Sequence, residues 1–362
     1  MSTRRDFIKT AAGAAAGVIF TGCNMPGVAH AQAARKQTIV NGRRIKTIDI
    51  HSHCAIPEAV ALTGRDPQSI LQPMVRGNDE TFLLFEQRLK AMDSRGIDIE
   101  ALSINPFWYA LERDVAARVI QTQNEKLAEL CAAHPDRFVA FATLALQHPD
   151  LAVEQLETAV KKYNMRGVAI GGHVAGVEFS NAKFHPVWAK AEELGVLLFI
   201  HPATQPELAS RYKGNGWLTN AIGNPLDTTI ALSHLIFEGT LDRFPGLKIC
   251  SAHGGGFLPS YAARSDYSCL TAPTACDPNI KLKKKPTEYL RQMYFDTLVF
   301  TPEALRHLAA EVGVDKLMLG TDYPYRWQDA GVEHILNSPG FSDEERIAML
   351  STTAAKLMGI KL

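Results

Sequence analysis

Cysteine is scarce in this chain, and its spacing argues against one common kind of zinc site. Only six of the 362 residues are cysteine, and no two of them are separated by just two residues. Structural zinc sites are usually built from such closely spaced pairs. The sequence therefore gives no support for a zinc knuckle.

An excess of charge of either sign is also missing. The chain has 38 basic and 38 acidic residues and is neutral overall. Proteins that bind nucleic acid usually present a basic patch, so this composition gives no reason to expect nucleic acid as a partner. With 46% hydrophobic residues, the chain is long enough to bury the core of one large α/β domain.

Residues 1–31 resemble a twin-arginine signal peptide. Arg4 and Arg5 precede the run Ala11–Phe20, which is too short and too rich in alanine and glycine to span a bilayer. Ala29-His30-Ala31 fits a small-x-small cleavage site. The resemblance implies the twin-arginine export machinery as a partner and a periplasmic location. The segment ending at Cys23 loosely resembles a lipobox, so a lipid anchor at Cys23 is an alternative.

From residue 46 to residue 362, strand-like and helix-like patterns alternate and predict one domain. Eight apolar runs are typical of strands: Thr47–His53, Ile99–Pro106, Phe138–Leu146, Gly167–Val174, Val196–Ala203, Lys248–Gly254, Met293–Val299 and Lys316–Pro324. Helical patterns follow at Thr81–Ser94, Asp114–Ala133, Leu151–Tyr163, Pro186–Leu194, Leu226–Gly239, Leu258–Ser268, Pro302–Val312, Val332–Asn337 and Asp343–Met358. Eight strands, each followed by a helix, predict a (β/α)8 TIM barrel in preference to a doubly wound sheet.

Two long loops interrupt this alternation. Cys54–Asn78 is a small insertion with three prolines after the first predicted strand, and Thr204–Asn224 follows the fifth. Loops that follow barrel strands lie at the C-terminal face, where the sites of such barrels are built. Both loops are therefore expected near the site.

Histidines and one aspartate end several of the predicted strands. His51 and His53 are two residues apart at the end of the first strand, so their imidazoles point to the same side. His201 ends the fifth strand, His253 the sixth and Asp322 the eighth. Because the C-terminal ends of barrel strands converge, these five side chains are expected in one pocket.

The motifs around these residues resemble those of the amidohydrolase superfamily. They are Asp49-Ile50-His51-Ser52-His53, Ala101-Leu102-Ser103, His201-Pro202, Phe244–Lys248, Ala252–Gly256 and Leu319–Pro324. The resemblance covers about residues 46–360 and is strongest to the decarboxylase branch typified by 2-amino-3-carboxymuconate-6-semialdehyde decarboxylase. It implies a carboxy-lyase that acts on a small aromatic or dienoic carboxylic acid.

The same resemblance implies roles for individual residues. His51, His53, His201 and Asp322 would bind one divalent metal, zinc with manganese as the alternative. His253 would act as acid and base beside a metal-bound water, and Asp322 would also take part in catalysis. One metal is expected instead of two, because the fourth strand ends in Ala169–His173 without a lysine or glutamate to bridge a pair.

Three further residues are expected to bind substrate. Arg264, eleven residues after His253, matches an arginine of the family that reaches the substrate carboxylate in a neighbouring subunit, so the resemblance implies a homodimer. Arg76, in the insertion, is the candidate for a second arginine that binds substrate in the family. His173 is expected to touch substrate because it lies at the end of the fourth strand.

The sequence also leaves two alternative functions open and supports three smaller expectations. A hydrolase of the same superfamily, which cleaves a lactone, amide or C–C bond, remains an alternative, while a dead barrel that only binds ligand would need a lost metal ligand. Ala203–Pro206 departs from the aromatic, acidic stretch of the muconate enzyme, so the pocket is expected to differ. Cys269 and Cys276 are expected to form a disulfide if the protein is exported. His307 and His334 are expected at solvated helix positions.

Overall fold

The computed structural model describes residues 35–70, 85–105, 107–203, 205–325, 327 and 330–362. The predicted signal peptide, Cys23 and Arg76 lie outside these residues. A short antiparallel hairpin, β1 (Thr38–Val40) and β2 (Arg43–Ile45), precedes the barrel and was not predicted. Eight parallel strands follow: β3 (Ile48–Cys54), β4 (Ile99–Ile104), β5 (Phe138–Ala142), β6 (Gly167–Ile170), β7 (Leu197–Ile200), β8 (Lys248–Ser251), β9 (Tyr294–Asp296) and β10 (Leu317–Met318).

The parallel strands form a closed barrel. Each strand from β3 to β10 pairs with the next one along the chain. The first and last strands are joined by backbone hydrogen bonds from Ile50 N–H to the Leu319 carbonyl (2.9 Å), from Asp322 N–H to the His51 carbonyl (2.8 Å) and from His53 N–H to the Tyr323 carbonyl (2.7 Å). The predicted (β/α)8 barrel is confirmed, and its closure brings Asp322 beside His51 and His53.

All the barrel strands except β3 are shorter than the predicted apolar runs, and just beyond β5 and β10 a backbone N–H bonds to a side chain instead of to a neighbouring strand. Thr143 N–H, just after β5, donates to Asn124 Oδ1 at 2.9 Å. Thr321 N–H, after β10, donates to Asp49 Oδ1 at 3.1 Å. The chain therefore leaves the strand pairing while it is still buried and apolar. The sequence pattern alone does not show where this happens.

Helices surround the barrel, and each predicted helix overlaps an observed one; the short helices Pro57–Ala61, Thr240–Arg243 and Pro286–Leu290 were not predicted. In chain order they are α1 (Pro57–Ala61), α2 (Phe85–Arg95), α3 (Arg113–Ala133), α4 (Pro149–Lys161), α5 (His185–Leu194), α6 (Asn224–Phe237), α7 (Thr240–Arg243), α8 (Ala262–Thr271), α9 (Pro286–Leu290), α10 (Pro302–Val312), α11 (Val332–Asn337), α12 (Asp343–Ile347) and α13 (Thr353–Met358). A π-helical turn, Ala348–Thr352, separates α12 from α13, which were predicted as one helix. Within the described ranges, none of these helices is long and apolar enough to cross a membrane.

The core has a larger cluster between strands and helices and a smaller one directly against the site. In the larger, Trp188 of α5 and Leu235 of α6 pack with Ile249 of β8. In the smaller, Phe199 lies 5.6 Å from Phe141 and 5.1 Å from the His51 ring, measured between ring centroids. The end of the barrel that carries the histidines is thus built on a packed apolar floor.

Of three local expectations, two are confirmed and one is wrong. Cys269, in α8, forms a disulfide with Cys276, as predicted. His307 is exposed on α10 as expected. The expectation for His334 was wrong, because its helix α11 turns this side chain inward and leaves it only 6% exposed.

Candidate metal centre and active site

Four side chains from three strand ends converge on one point. His51, His53, His201 and Asp322 are all buried. Each offers one ligand atom, and these four atoms lie within 4.8 Å of one another. Asp322 Oδ1 lies 2.8 Å from His53 Nε2 and 3.1 Å from His51 Nε2. The His201 ring centroid lies 4.7 Å from that of His53. The structure therefore brings together the four residues that the sequence suggested as ligands.

The far nitrogens of these histidines are held by neighbouring groups. His51 Nδ1 lies 2.7 Å from Asp296 Oδ2, and His53 Nδ1 lies 3.2 Å from Ser103 Oγ. His201 Nδ1 lies 3.1 Å from the Pro202 carbonyl. When Nδ1 carries the proton and donates it, Nε2 keeps its lone pair for a metal. The arrangement thus fits metal binding through Nε2 at all three rings.

Asp296, at the end of β9, organises two parts of the site. Its carboxylate accepts hydrogen bonds from the backbone N–H groups of His253 (2.9 Å) and Gly254 (2.9 Å) as well as contacting His51. The sequence analysis missed this residue. The sequence does contain a signal for it, because Asp296 ends a barrel strand just as the predicted site residues do.

Arg88, on α2, forms hydrogen bonds to β3, the strand that carries His51 and His53. It donates to Ser52 Oγ at 2.7 Å, to Glu100 Oε2 at 2.8 Å and to the His53 carbonyl. Its guanidinium also lies 4.3 Å from the centroid of the Tyr323 ring, across the seam that closes the barrel. Both Arg88 and Glu100 are buried, so the pair fixes the backbone of the ligand strand.

The electrostatics of the metal-free cluster suit a cation. Burial, with help from the nearby His53 and His51, holds the pKa of His201 well below its usual value, so this ring is neutral. Burial opposes charge on Asp322, but His51, His253 and His53 outweigh it and hold the pKa of Asp322 well below its usual range. Burial likewise opposes a charged His51, yet Asp322 and Asp296 raise its pKa to about 10. In the metal-free protein, the proton on His51 therefore supplies the positive charge that a bound metal ion would otherwise supply.

His253 lies beside the four ligands but is not part of their cluster. Its Nε2 lies 3.8 Å from Asp322 Oδ2, and its ring centroid lies 5.2 Å from that of His201. Among the described residues, its buried Nδ1 has no hydrogen-bond partner. The backbone that follows is crowded, because a Cβ on Gly256 would lie 2.2 Å from the Pro225 carbonyl oxygen. Glycine at this position lets the loop after β8 pass against α6.

A cavity of about 560 Å³ opens above the cluster. Its wall contains aromatic side chains, amides and imidazoles: Phe107, Trp108, Tyr109, Tyr325, Asn105, Asn220, Asn224, His53, His173, His201 and His253. Phe107 and Tyr109 stack with ring centroids 5.7 Å apart and an interplanar angle of 16°. A cavity of this size is typical of sites for small molecules.

The predicted substrate residues have three different positions. His173 lines the cavity, and its Nδ1 accepts the Gly176 N–H at 2.9 Å. Arg264 is exposed on α8 and is not among the residues that line the cavity. Arg76 lies outside the described residues. Asp266, a neighbour of Arg264 on the helix, accepts hydrogen bonds from Thr287 N–H at 3.0 Å and Thr287 Oγ1 at 2.8 Å.

Comparison with known proteins identifies the family. The chain is 28% identical over 278 residues to 2-amino-3-carboxymuconate-6-semialdehyde decarboxylase of Dictyostelium discoideum, covering 75% of this chain and 76% of the relative. It is 29% identical over 327 residues to gamma-resorcylate decarboxylase of Rhodococcus jostii, covering 86% of this chain and 97% of the relative. A crystal structure of dihydroxybenzoic acid decarboxylase from Polaromonas, with bound manganese and the inhibitor 2-nitroresorcinol, is 25% identical and superposes with a TM-score of 0.76, covering 87% of this chain and 97% of that one. A family model described as amidohydrolase matches residues 48–360, so the chain belongs to the amidohydrolase family.

Proposed function

We propose that this protein is a metal-dependent decarboxylase whose substrate is a small aromatic carboxylic acid, with hydroxybenzoic acids as the first candidates. The observation that carries the proposal is the four-ligand cluster at one end of an aromatic-walled cavity. A ring can stack against such walls while its carboxylate lies beside the cluster. The decarboxylase names of the similar proteins support the same reaction class.

The ligand set fits a single divalent ion. Three imidazoles and one carboxylate are ligands that both zinc and manganese accept. The bound ion would anchor substrate oxygens and stabilise the negative charge that develops in the transition state. We propose zinc, with manganese as the alternative because the similar Polaromonas structure contains it.

His253 is the proposed proton donor. Decarboxylation breaks the bond between the ring carbon and the carboxylate, leaves the electron pair on the ring carbon and replaces carbon dioxide by a proton. His253 lines the cavity, and within the described residues its Nδ1 is not held by a partner. Its Nε2 is near Asp322 Oδ2, so Asp322 is placed to orient the imidazole as well as to bind metal.

The cavity wall supports recognition of a substituted ring. The Phe107 and Tyr109 pair offers a flat apolar face, and Tyr109 is itself fixed, because its hydroxyl accepts the Gly171 N–H at 3.1 Å. Asn220 and Asn224 face the same cavity with amide groups that can bond to ring hydroxyls. We include His173 as a substrate-binding residue on the same grounds, and Arg76 from the family resemblance.

A homodimer with Arg264 acting in the neighbouring site is a further part of the proposal. Arg264 shares the exposed surface of α8 with Tyr267 and Leu270, which are 65% and 76% exposed. Exposed apolar side chains grouped in this way are typical of a surface that another molecule covers. Mixing two inactive variants, His253→Asn and Arg264→Ala, and allowing subunits to exchange should restore part of the activity; a mixture that stays inactive after proven exchange would contradict the role of Arg264.

Export is proposed from the sequence of residues 1–31. The mature protein is expected in the periplasm, either cleaved after Ala31 or anchored by a lipid at Cys23, with a domain from residue 46 to residue 362. Replacement of Arg4 and Arg5 by lysine should leave the protein in the cytoplasm. Fractionation that finds the unaltered protein in the cytoplasm would contradict this part of the proposal.

The enzyme class is tested with a panel of acids. Protein reconstituted separately with zinc and manganese is incubated with hydroxybenzoic acids, 5-carboxyvanillate and, as hydrolase probes, aryl lactones and anilides. We expect carbon dioxide from at least one acid, loss of that activity on chelation, and one metal ion per chain by elemental analysis. Turnover of a lactone or amide without carbon dioxide release would support the hydrolase alternative instead.

A further inference from the structure

Trp327, which lies outside every predicted motif, contacts the metal ligand Asp322 through its indole N–H. Its indole N–H donates to Asp322 Oδ2 at 2.8 Å. The other oxygen, Oδ1, is the one that lies 2.8 Å from His53 Nε2 and 3.1 Å from His51 Nε2. The two oxygens of this carboxylate therefore have separate surroundings: Oδ1 lies toward the metal ligands, and Oδ2 lies toward Trp327 and, at 3.8 Å, His253 Nε2.

We propose that Trp327 is a positioning residue that makes Asp322 bind the metal through Oδ1 alone. The hydrogen bond to Oδ2 fixes the rotation of the carboxylate, and an indole nitrogen can only donate, so it has no competing role as an acceptor. A neighbour that orients a ligand in this way typically changes metal affinity by about 10–100-fold. This inference concerns the metal site on which the proposed function also depends.

Trp327 is itself held by aromatic neighbours from three loops. Its ring centroid lies 6.0 Å from that of Trp217, at an interplanar angle of 19°, and 6.2 Å from that of Tyr325, at 27°. Phe300, from the loop after β9, approaches to 5.4 Å with its edge. The indole is thus fixed by packing against three other aromatic rings.

The backbone at two of these neighbours is unusual. Trp217 and Phe300 have φ values of 50° and 65°, in the left-handed region that bulky side chains rarely adopt. They are also 49% and 38% exposed, which is high for such large rings. Strained, exposed aromatic residues in two separate loops are more simply explained if they hold a third residue in place.

The test compares two conservative substitutions in full-length protein. Trp327→Phe keeps a stacked ring and removes the N–H donor, while Trp217→Phe changes the same stack without touching Asp322. Metal dissociation constants are measured by chelator competition with zinc and manganese, and the visible absorption of the cobalt-loaded protein reports ligand geometry. Near-ultraviolet circular dichroism and thermal unfolding of the metal-free proteins check that both variants fold.

The expected result separates the two variants. Trp327→Phe should bind metal about 10–100-fold more weakly and show an altered cobalt spectrum, whereas Trp217→Phe, which keeps the indole N–H and a ring against it, should lose clearly less affinity. If Trp327→Phe is folded and matches the unaltered protein in both measurements, or if both variants lose affinity equally, the inference is wrong. Failure of the unaltered protein to bind metal would instead contradict the proposed function.

Discussion

Asp296 contacts His51 at 2.7 Å, and both side chains are completely buried. The same carboxylate accepts the backbone N–H groups of His253 and Gly254. One residue at the end of β9 thus sets the orientation of a metal ligand and of the loop that carries the proposed proton donor.

Asp296→Asn is expected to weaken metal binding by about 10–100-fold, the usual cost of altering the partner of a ligating histidine. An amide keeps the size of the side chain. However, both carboxylate oxygens of Asp296 accept N–H groups, and the NH2 group that replaces one of them cannot accept a hydrogen bond. Chelator competition measures the effect. Asp315→Asn is the control, because that carboxylate is 76% exposed and pairs with Lys316 far from the ligands; equal affinities for both variants would refute the role given to Asp296.

His253→Asn is expected to keep the metal and to lower turnover by about 10²–10⁴-fold, the usual contribution of a general acid or base. Asparagine is chosen because His253 has a φ of 53°, and asparagine adopts this conformation more readily than alanine. Turnover and metal content are measured together, with the exposed His307→Asn as control. Loss of the metal from His253→Asn would mean that His253 is a ligand.

Arg88→Met is expected to lower the free energy of unfolding by about 3–5 kcal/mol, because it leaves the buried Glu100 carboxylate without its partner. The double variant with Glu100→Gln should recover part of this loss. Urea unfolding measures both, and Arg113→Met, which breaks an exposed pair with Asp150, should have a much smaller effect. A single variant as stable as the unaltered protein would show that the buried pair is not needed.

Metal binding is expected to release about one proton per chain at pH 7. His51 in the metal-free protein has a pKa of about 10, so it is protonated at pH 7 and must lose that proton before Nε2 can bind an ion. Affinity should accordingly rise with pH between 7 and 10. Calorimetry in buffers of different ionisation enthalpy counts the protons, and a count near zero would contradict the charge state assigned to His51.

The sequence predicted the barrel from local patterns, and the family resemblance selected the metal ligands from the residues that these patterns place at strand ends. Strand and helix patterns alternate eight times, and His51, His53, His201 and Asp322 each end a strand. The same rule applied to β9 would have identified Asp296.

Other features depend on contacts that sequence patterns do not carry. Trp327 is held against Asp322 by loops that follow three different strands. The spacing of residues in the sequence does not reveal that these loops meet. The burial of His334 was missed because α11 has only six residues, too few to show a periodic apolar face. The role proposed for Arg264 requires a second subunit, which the pattern of one chain does not describe.

The most direct test of the account is the fate of the carboxylate in D2O. Metal-loaded protein is incubated with the hydroxybenzoic acid that it turns over best, and carbon dioxide and product are quantified by mass spectrometry. The account predicts one carbon dioxide per product molecule and one deuterium at the carbon that carried the carboxylate, with both signals lost in His253→Asn. A product that retains its carboxylate and contains the elements of water would contradict it.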